Sequence, residues 1–161
     1  MQVWRICKQK HLAGAFSGEG GLYTGARWTP QGIKAVYTSE SLALASLEVF
    51  VHTESNRFPL VGIRASLPED IAIAEFRVAD LPDGWQEEPA YPVLQKMGKE
   101  WFLSHRTPVL KVPSSIIPVE YNYILNPTHP DFEISLNPPI EFNFDRRMWK
   151  PELGSDKKSK S

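Results

Sequence analysis

The chain is poor in cysteine, with Cys7 alone among its 161 residues. A single cysteine excludes an intrachain disulfide scaffold and a cysteine-rich zinc site. No apolar run approaches the roughly 20 residues that a membrane-spanning helix needs. The first residues alternate like a strand and lack the apolar core of a signal peptide. We therefore expect a soluble, cytoplasmic protein that does not associate with membranes.

An excess of charge of one sign is also missing. Eighteen basic side chains stand against nineteen acidic ones, which leaves a formal net charge of −1. Nonspecific binding of nucleic acid depends on a basic surface that neutralises phosphates. We therefore expect no direct binding of nucleic acid.

Several common catalytic motifs are absent as well. The glycine-rich stretch at 12–30 contains no GxxxxGK[ST] and no GxGxxG between a strand and a helix, which argues against a P-loop or a Rossmann site. No GxSxG is present, so a serine hydrolase triad has little support. The four histidines show no metal-ligand spacing, and we expect no metal.

The chain has enough apolar side chains, 42% of the total, to build one core. Its patterns predict two helices, at 40–52 with Ser39 as the N-cap and at 90–104. About six short strands are predicted, at 3–6, 35–38, 60–67, 71–76, 109–112 and 122–125, with 140–144 as a candidate for the last. Because strands and helices do not strictly alternate, this order predicts an α+β domain with a mixed or antiparallel sheet.

The chain shows no internal repeat and no linker, which predicts a single domain over 1–153. The lysine- and serine-rich stretch at 154–161 is predicted to be a disordered tail.

Two charged residues are candidates for chemistry. Arg27 follows the glycine-rich loop, where a guanidinium can hold phosphate through two parallel hydrogen bonds. The local sequence alone slightly favours the alternative, a surface arginine whose stem lies on Trp28. Glu48 shares an otherwise apolar helix face, an unusual place for a carboxylate. It either points into a cleft or pairs with His52 or a lysine, and the residues do not decide between these alternatives.

Uncharged candidates lie in two further segments. Tyr37 ends a predicted strand, a natural place for an active-site aromatic, although packing is the simpler interpretation. Ser114 and Ser115 lie between Pro113 and Pro118, whose rings fix the backbone. That arrangement suits a hydroxyl that contacts a ligand, and it equally suits an ordinary proline-bounded turn.

Taken in order, these features resemble the RES family, named for its arginine, glutamate and serine. The ordered set of segments is specific, whereas no single piece is diagnostic. The segments are WRI at 4–6, FSG at 16–18, GARWTPQG at 25–32, VYTSESLALASLE at 36–48, LKVPS at 110–114, Asn122, NP at 126–127, HP at 129–130 and FDRR at 144–147. The chain departs from the family pattern at Ala26 and Thr29, where the family usually has glycine and asparagine.

The resemblance implies a bacterial toxin that takes NAD as its substrate and has a fold similar to that of ADP-ribosyltransferases. In families of that kind the nicotinamide–ribose bond breaks through an oxocarbenium-like state, and ADP-ribose passes to water, phosphate or a protein side chain. The residues do not separate degradation of NAD from ADP-ribosylation of a specific target protein. A non-catalytic interaction domain is the alternative from another class. The expected partner is an Xre-like helix-turn-helix antitoxin, and the assembly is left open between a homodimer and a hetero-oligomer with that antitoxin.

The resemblance also implies roles for three of the candidates. Arg27 would neutralise the pyrophosphate of NAD. Tyr37 would stack near the nicotinamide. Glu48 would hold the ribose hydroxyls and stabilise the developing positive charge.

Three polar residues complete the expected site of this RES-like, NAD-cleaving domain. Ser114 would hydrogen-bond the nicotinamide ribose. Ser115 is its substitute, because the serine pair makes the alignment ambiguous. Asn122 would support this loop.

Overall fold

The computed structural model describes residues 1–54 and 58–149. The tail predicted at 154–161 lies outside the described residues, as do the last residues of the predicted domain. Among the described residues, neither α-helix combines the length and the apolar character that a membrane span requires.

A single mixed sheet of eight strands organises the described part of the chain. The strands are β1 (Gln2–Lys8), β2 (Val36–Ser39), β3 (Leu60–Ser66), β4 (Ile73–Glu75), β5 (Val109–Pro113), β6 (Tyr121–Leu125), β7 (Ser135–Leu136) and β8 (Ile140–Phe142). Their order is β4-β5-β6-β2-β1-β3-β7, and β8 also pairs with β3. Every pair is antiparallel except β4 with β5. The predicted α+β class with a mixed sheet is confirmed.

Two α-helices, α1 (Leu42–Phe50) and α2 (Tyr91–Ser104), accompany the sheet. Helix α1 packs on β1 and β2. Helix α2 places Leu94 and Trp101 in one core cluster with Leu110 and Val112 of β5. This packing sets both helices beside the strands that carry the candidate residues.

The predicted N-cap of α1 was wrong. Ser41, not Ser39, caps the helix, and its hydroxyl accepts a hydrogen bond from the backbone N–H of Leu44 at 3.0 Å. Ser39 is instead the last residue of β2, and the N–H of Glu40 still reaches across to the carbonyl of Tyr121 at 3.1 Å. Both serines suit a cap, and pairing with β6 decides between them.

Strand lengths differ from the sequence-based expectation at the sheet edges. The strand predicted at 71–76 is reduced to Ile73–Glu75, which pairs with β5 alone. Strand β7 was not predicted, because two exposed residues are too few to show an alternation.

Helix α2 fixes the loop that carries Arg27. A Cβ atom at Gly98 would lie 1.7 Å from the carbonyl oxygen of Trp28, so only glycine allows this approach. Three residues before Gly98, Gln95 Nε2 donates to the carbonyl of Ala26 at 2.7 Å. Trp28 is buried between these contacts and the ring of Trp85, 6.0 Å away. The loop is therefore held on both sides of Arg27.

The contact at Gly98 leads to a stability prediction. Gly98→Ala should lower the free energy of unfolding by about 3 kcal/mol, because a backbone atom would have to move and overpacking outweighs the gain in helix propensity of about 1 kcal/mol. Urea denaturation measures the difference. Gly20→Ala is the matched control, because a Cβ atom at that position meets nothing within 4 Å. Equal stability of the two variants would contradict the contact.

Candidate active site

Glu48 lies in a hydrogen-bonded cluster between α1 and the sheet. Ser114 Oγ donates to Glu48 Oε1 at 2.8 Å, and Asn122 Nδ2 donates to the same oxygen at 2.6 Å. Among the described residues, both hydrogen bonds to this carboxylate go to Oε1, which leaves Oε2 for a ligand. Glu48 is thus paired with two neutral donors rather than with His52 or a lysine.

Ser114 is fully buried directly after β5. Its Oγ accepts hydrogen bonds from the backbone N–H groups of Ile116 and Ile117, each at 3.1 Å, so its single proton is directed to Glu48. A further bond, from the N–H of Ser114 to the carbonyl of Glu120 at 2.9 Å, closes the turn. In this geometry the partner of Ser114 is the Glu48 carboxylate, and the ribose contact implied by the resemblance stays a prediction.

Ser115 points to a different part of the site. It is half-buried and lines a pocket next to Glu48. Its carbonyl accepts a hydrogen bond from Gln86 Nε2 at 2.8 Å. The two serines therefore differ in their surroundings. Ser114 is buried beneath the Glu48 carboxylate, and Ser115 lines the pocket.

Two pockets meet at Glu48. The Arg5 pocket, of about 250 Å³, has Arg5 beside apolar neighbours such as Trp4 and Val49. The Arg27 pocket, of about 410 Å³, has Arg27 and Tyr91 in its wall. Both are bordered by the same residues: Ala26, Tyr37, Glu48, His52 and Asn122. Together they form a concave site of the size that takes a small molecule.

Tyr37 lies within β2 and borders both pockets. Its hydroxyl shares a hydrogen bond of 2.9 Å with Thr29 Oγ1. Burial raises the pKa of Tyr37 to about 12, although the hydrogen bond with Thr29 acts in the opposite direction. Thr29 is itself buried and links the Arg27 loop to this tyrosine.

The guanidinium of Arg27 is held by the segment before α2 and by the first residue of that helix. This group lies over the ring of Tyr91, 4.7 Å from the ring centroid. Its Nη1 donates to the carbonyls of Trp85 and Gln86 at 3.0 and 2.8 Å. No carboxylate of the described residues forms an ion pair with it, so its positive charge is available to an anionic ligand.

Arg5 is a second cation that the sequence analysis did not select. Its Nη1 donates to the carbonyl of Tyr37 at 2.8 Å, while its Nε is buried with no hydrogen-bond partner among the described residues. Burial lowers the pKa of Arg5. A buried donor without a partner is costly. The signal in the sequence was the arginine enclosed by apolar residues in the first strand.

Metal ligands are not gathered in the described part of the chain. Within 1–54 and 58–149, no group of three or more histidine, cysteine, aspartate and glutamate side chains is arranged to hold an ion.

The raised pKa of Tyr37 predicts a loss of stability at high pH. An unfolded tyrosine ionises near pH 10, whereas folded Tyr37 keeps its proton to about pH 12. The unfolded state then binds fewer protons than the folded state, so the stabilisation present below pH 10 is lost as the pH rises to 12. We expect the free energy of unfolding to fall more steeply over this range in the parent than in Tyr37→Phe. Urea denaturation at stepped pH measures both slopes.

Tyr23→Phe is the control for this titration, because Tyr23 is 77% exposed. It should follow the parent. A Tyr37→Phe variant with the same pH slope as the parent would contradict the buried environment of this hydroxyl.

Comparison with known proteins shows which family this sequence resembles. The sequence profile of the RES domain matches residues 2–146. "Toxin Res" of Yersinia enterocolitica is 34% identical over 154 residues, which cover 92% of this chain and 99% of that protein. The "Prs ADP-ribosylating toxin" of Sphingobium sp. is 41% identical over 153 residues, which cover 90% of this chain and 94% of that protein.

A solved structure has the same fold. The crystal structure of the M. tuberculosis MbcT–MbcA toxin–antitoxin complex contains a chain that superposes with a TM-score of 0.69 at 17% identity. The match covers 88% of this chain and 84% of that one. The profile match over nearly the whole length and the identities with the curated relatives agree: the chain belongs to the RES domain family.

Proposed function

We propose that this protein is the toxin of a toxin–antitoxin system and that it consumes NAD by breaking the nicotinamide–ribose bond. One observation carries the proposal: a carboxylate held through one oxygen borders two pockets, each of which has an arginine in its wall. The toxin names of the family members support the biological role.

The charges of the site suit NAD. The two phosphates of NAD are anionic, and a guanidinium offers planar paired donors to such oxygens. Arg27 is positioned for this contact by Tyr91 and by two backbone carbonyls that use only its Nη1. Arg5 lines the neighbouring pocket and brings a second guanidinium to the other side of Tyr37. The ring of Tyr37 would lie near the nicotinamide.

Glu48 would act on the bond that breaks. The electron pair of the C–N bond passes to the nicotinamide nitrogen, so nicotinamide leaves uncharged while positive charge develops on the ribose. Oε2 of Glu48 would stabilise that charge, while Ser114 and Asn122 hold Oε1. Attack of water on the ribose carbon yields ADP-ribose and a proton, and attack of phosphate yields the phosphorylated sugar. Each 1.4 kcal/mol by which the transition state is stabilised raises the rate about tenfold.

ADP-ribosylation of a protein is the second candidate. It is favoured by the relative from Sphingobium, whose name describes an ADP-ribosylating toxin. The same cleft serves this reaction, because only the nucleophile that attacks the ribose differs. A purely non-catalytic interaction domain has less support, since packing does not account for a carboxylate with an unengaged oxygen at the border of two pockets.

A toxin of this kind needs a partner that holds it inactive. We propose that this partner is an Xre-like helix-turn-helix antitoxin that covers the cleft near Arg27 in the cytoplasm. The structure with the same fold is that of a toxin–antitoxin complex, which supports an antitoxin as the partner.

Expression of the chain without a partner tests the proposed function. The parent should arrest bacterial growth and lower cellular NAD. Glu48→Gln keeps the shape and removes the charge, so the rate should fall by at least about a hundredfold and growth should continue. Glu40→Gln is the matched control, because Glu40 is exposed just before the same helix, and it should behave like the parent. Growth curves and NAD content after induction are the measurements.

The outcomes separate the candidates. Growth arrest with unchanged NAD would move the assignment to modification of a protein target. Soluble parent protein that neither arrests growth nor lowers NAD would leave only the non-catalytic interpretation. A Glu48→Gln variant as toxic as the parent would remove Glu48 from the mechanism.

A further inference from the structure

Ser39 contributes a hydroxyl to the site that has no role in the helix cap. It is 4% exposed at the end of β2. Its Oγ donates to Asn122 Oδ1 at 2.6 Å, and the two residues are direct cross-strand partners of β2 and β6. The contact therefore follows from the register of the sheet.

The hydrogen bond from Ser39 satisfies Oδ1 of Asn122, the amide atom that does not contact Glu48. An amide donates only through nitrogen and accepts only through oxygen. An ionised Glu48 can only accept, so Asn122 must present Nδ2 to it, as it does at 2.6 Å. This orientation turns Oδ1 toward Ser39, where the partly buried oxygen can accept from a donor. The hydroxyl of Ser39 is that donor.

Each of the two donors to Glu48 is itself held by further hydrogen bonds. Ser114 Oγ is held by two backbone N–H groups, which no side-chain change removes. The Asn122 amide is held by the Ser39 side chain. Of these supporting contacts, the hydrogen bond to Asn122 is therefore the one that a single side-chain substitution can remove.

We propose that Ser39 is a positioning residue that acts through Asn122 to fix Oε1 of Glu48, which keeps Oε2 directed into the cleft. The proposal rests on the proposed NAD-consuming function for its kinetic consequences. Without the hydroxyl, Oδ1 is left unsatisfied, and rotation of the amide toward another donor relieves this cost at the expense of the bond to Glu48. The carboxylate then samples positions in which Oε2 is displaced from the reacting carbon.

Kinetics with purified variants test the effect on the reaction. Ser39→Ala should lower kcat about tenfold and change KM by less than about twofold, because a misplaced group acts on the transition state more than on binding. Ser39→Thr retains the hydroxyl on the same Cβ and should recover most of kcat. Ser46→Ala, which removes a hydroxyl from α1 that donates to the carbonyl of Ala43, is the control and should match the parent. An unchanged kcat in Ser39→Ala would overturn the proposal.

A double-mutant cycle tests whether Ser39 acts through Asn122. Ser39→Ala should have no further effect on kcat in an Asn122→Ala background, because the group that it positions is gone. A second, equal loss in that background would show an independent role and overturn the proposal. If Ser39→Ala is less stable in urea, the cycle is run with Ser39→Cys, which replaces the hydroxyl with a weak donor of similar shape.

Hydrogen exchange of the Asn122 side-chain amide tests the contact without any assay of activity. In ¹⁵N-labelled parent the exchange should be slow, and in Ser39→Ala it should be faster. Equal exchange rates in the two proteins would overturn the inference even if NAD is consumed. Conversely, slow exchange in a parent protein that leaves NAD intact would refute the proposed function and leave the hydrogen bonds from Ser39 to Asn122 and from Asn122 to Glu48 in place.

Discussion

The site depends on two hydrogen bonds to one oxygen of Glu48. They join α1 to the turn after β5 and to β6, and so they tie together segments 66 and 74 positions apart in the chain. A glutamate on an apolar helix face is stable only if its charge is satisfied. Here two neutral donors do this without an ion pair, and they leave one oxygen of the carboxylate unengaged.

The surrounding fold places two arginines and the lining of two pockets around this carboxylate. Arg27 is placed by a loop that α2 holds through Gly98 and Gln95, and the loop is tied to Tyr37 through Thr29. The same tyrosine accepts, through its carbonyl, the hydrogen bond of Arg5. Two cations and one anion therefore border a common space, with their spacing fixed by backbone contacts rather than by mutual ion pairs. Such an arrangement is suited to a ligand that carries both signs of charge.

Local patterns were sufficient for the α+β class, for both helices and for the position of Glu48 on a helix. They could not show that Ser114 lies under Glu48, since that contact requires β5 and β6 to be paired. Ser39 and Ser41 are equivalent as helix caps in sequence, and only the partnership of Ser39 with Asn122 separates them. Arg5 was missed because a polar residue in an alternating strand normally faces solvent, whereas this one is enclosed in a pocket.

The most direct test of the central claim is release of nicotinamide from NAD by the purified chain. Folded protein would be incubated with NAD in three mixtures, with buffer alone, with phosphate and with a bacterial lysate as a source of protein acceptors, and the products would be separated by chromatography and identified by mass. The account predicts free nicotinamide in at least one mixture, with ADP-ribose, its phosphorylated form or a modified protein as the matching product. Intact NAD in all three mixtures, with the chain folded by circular dichroism, would contradict it.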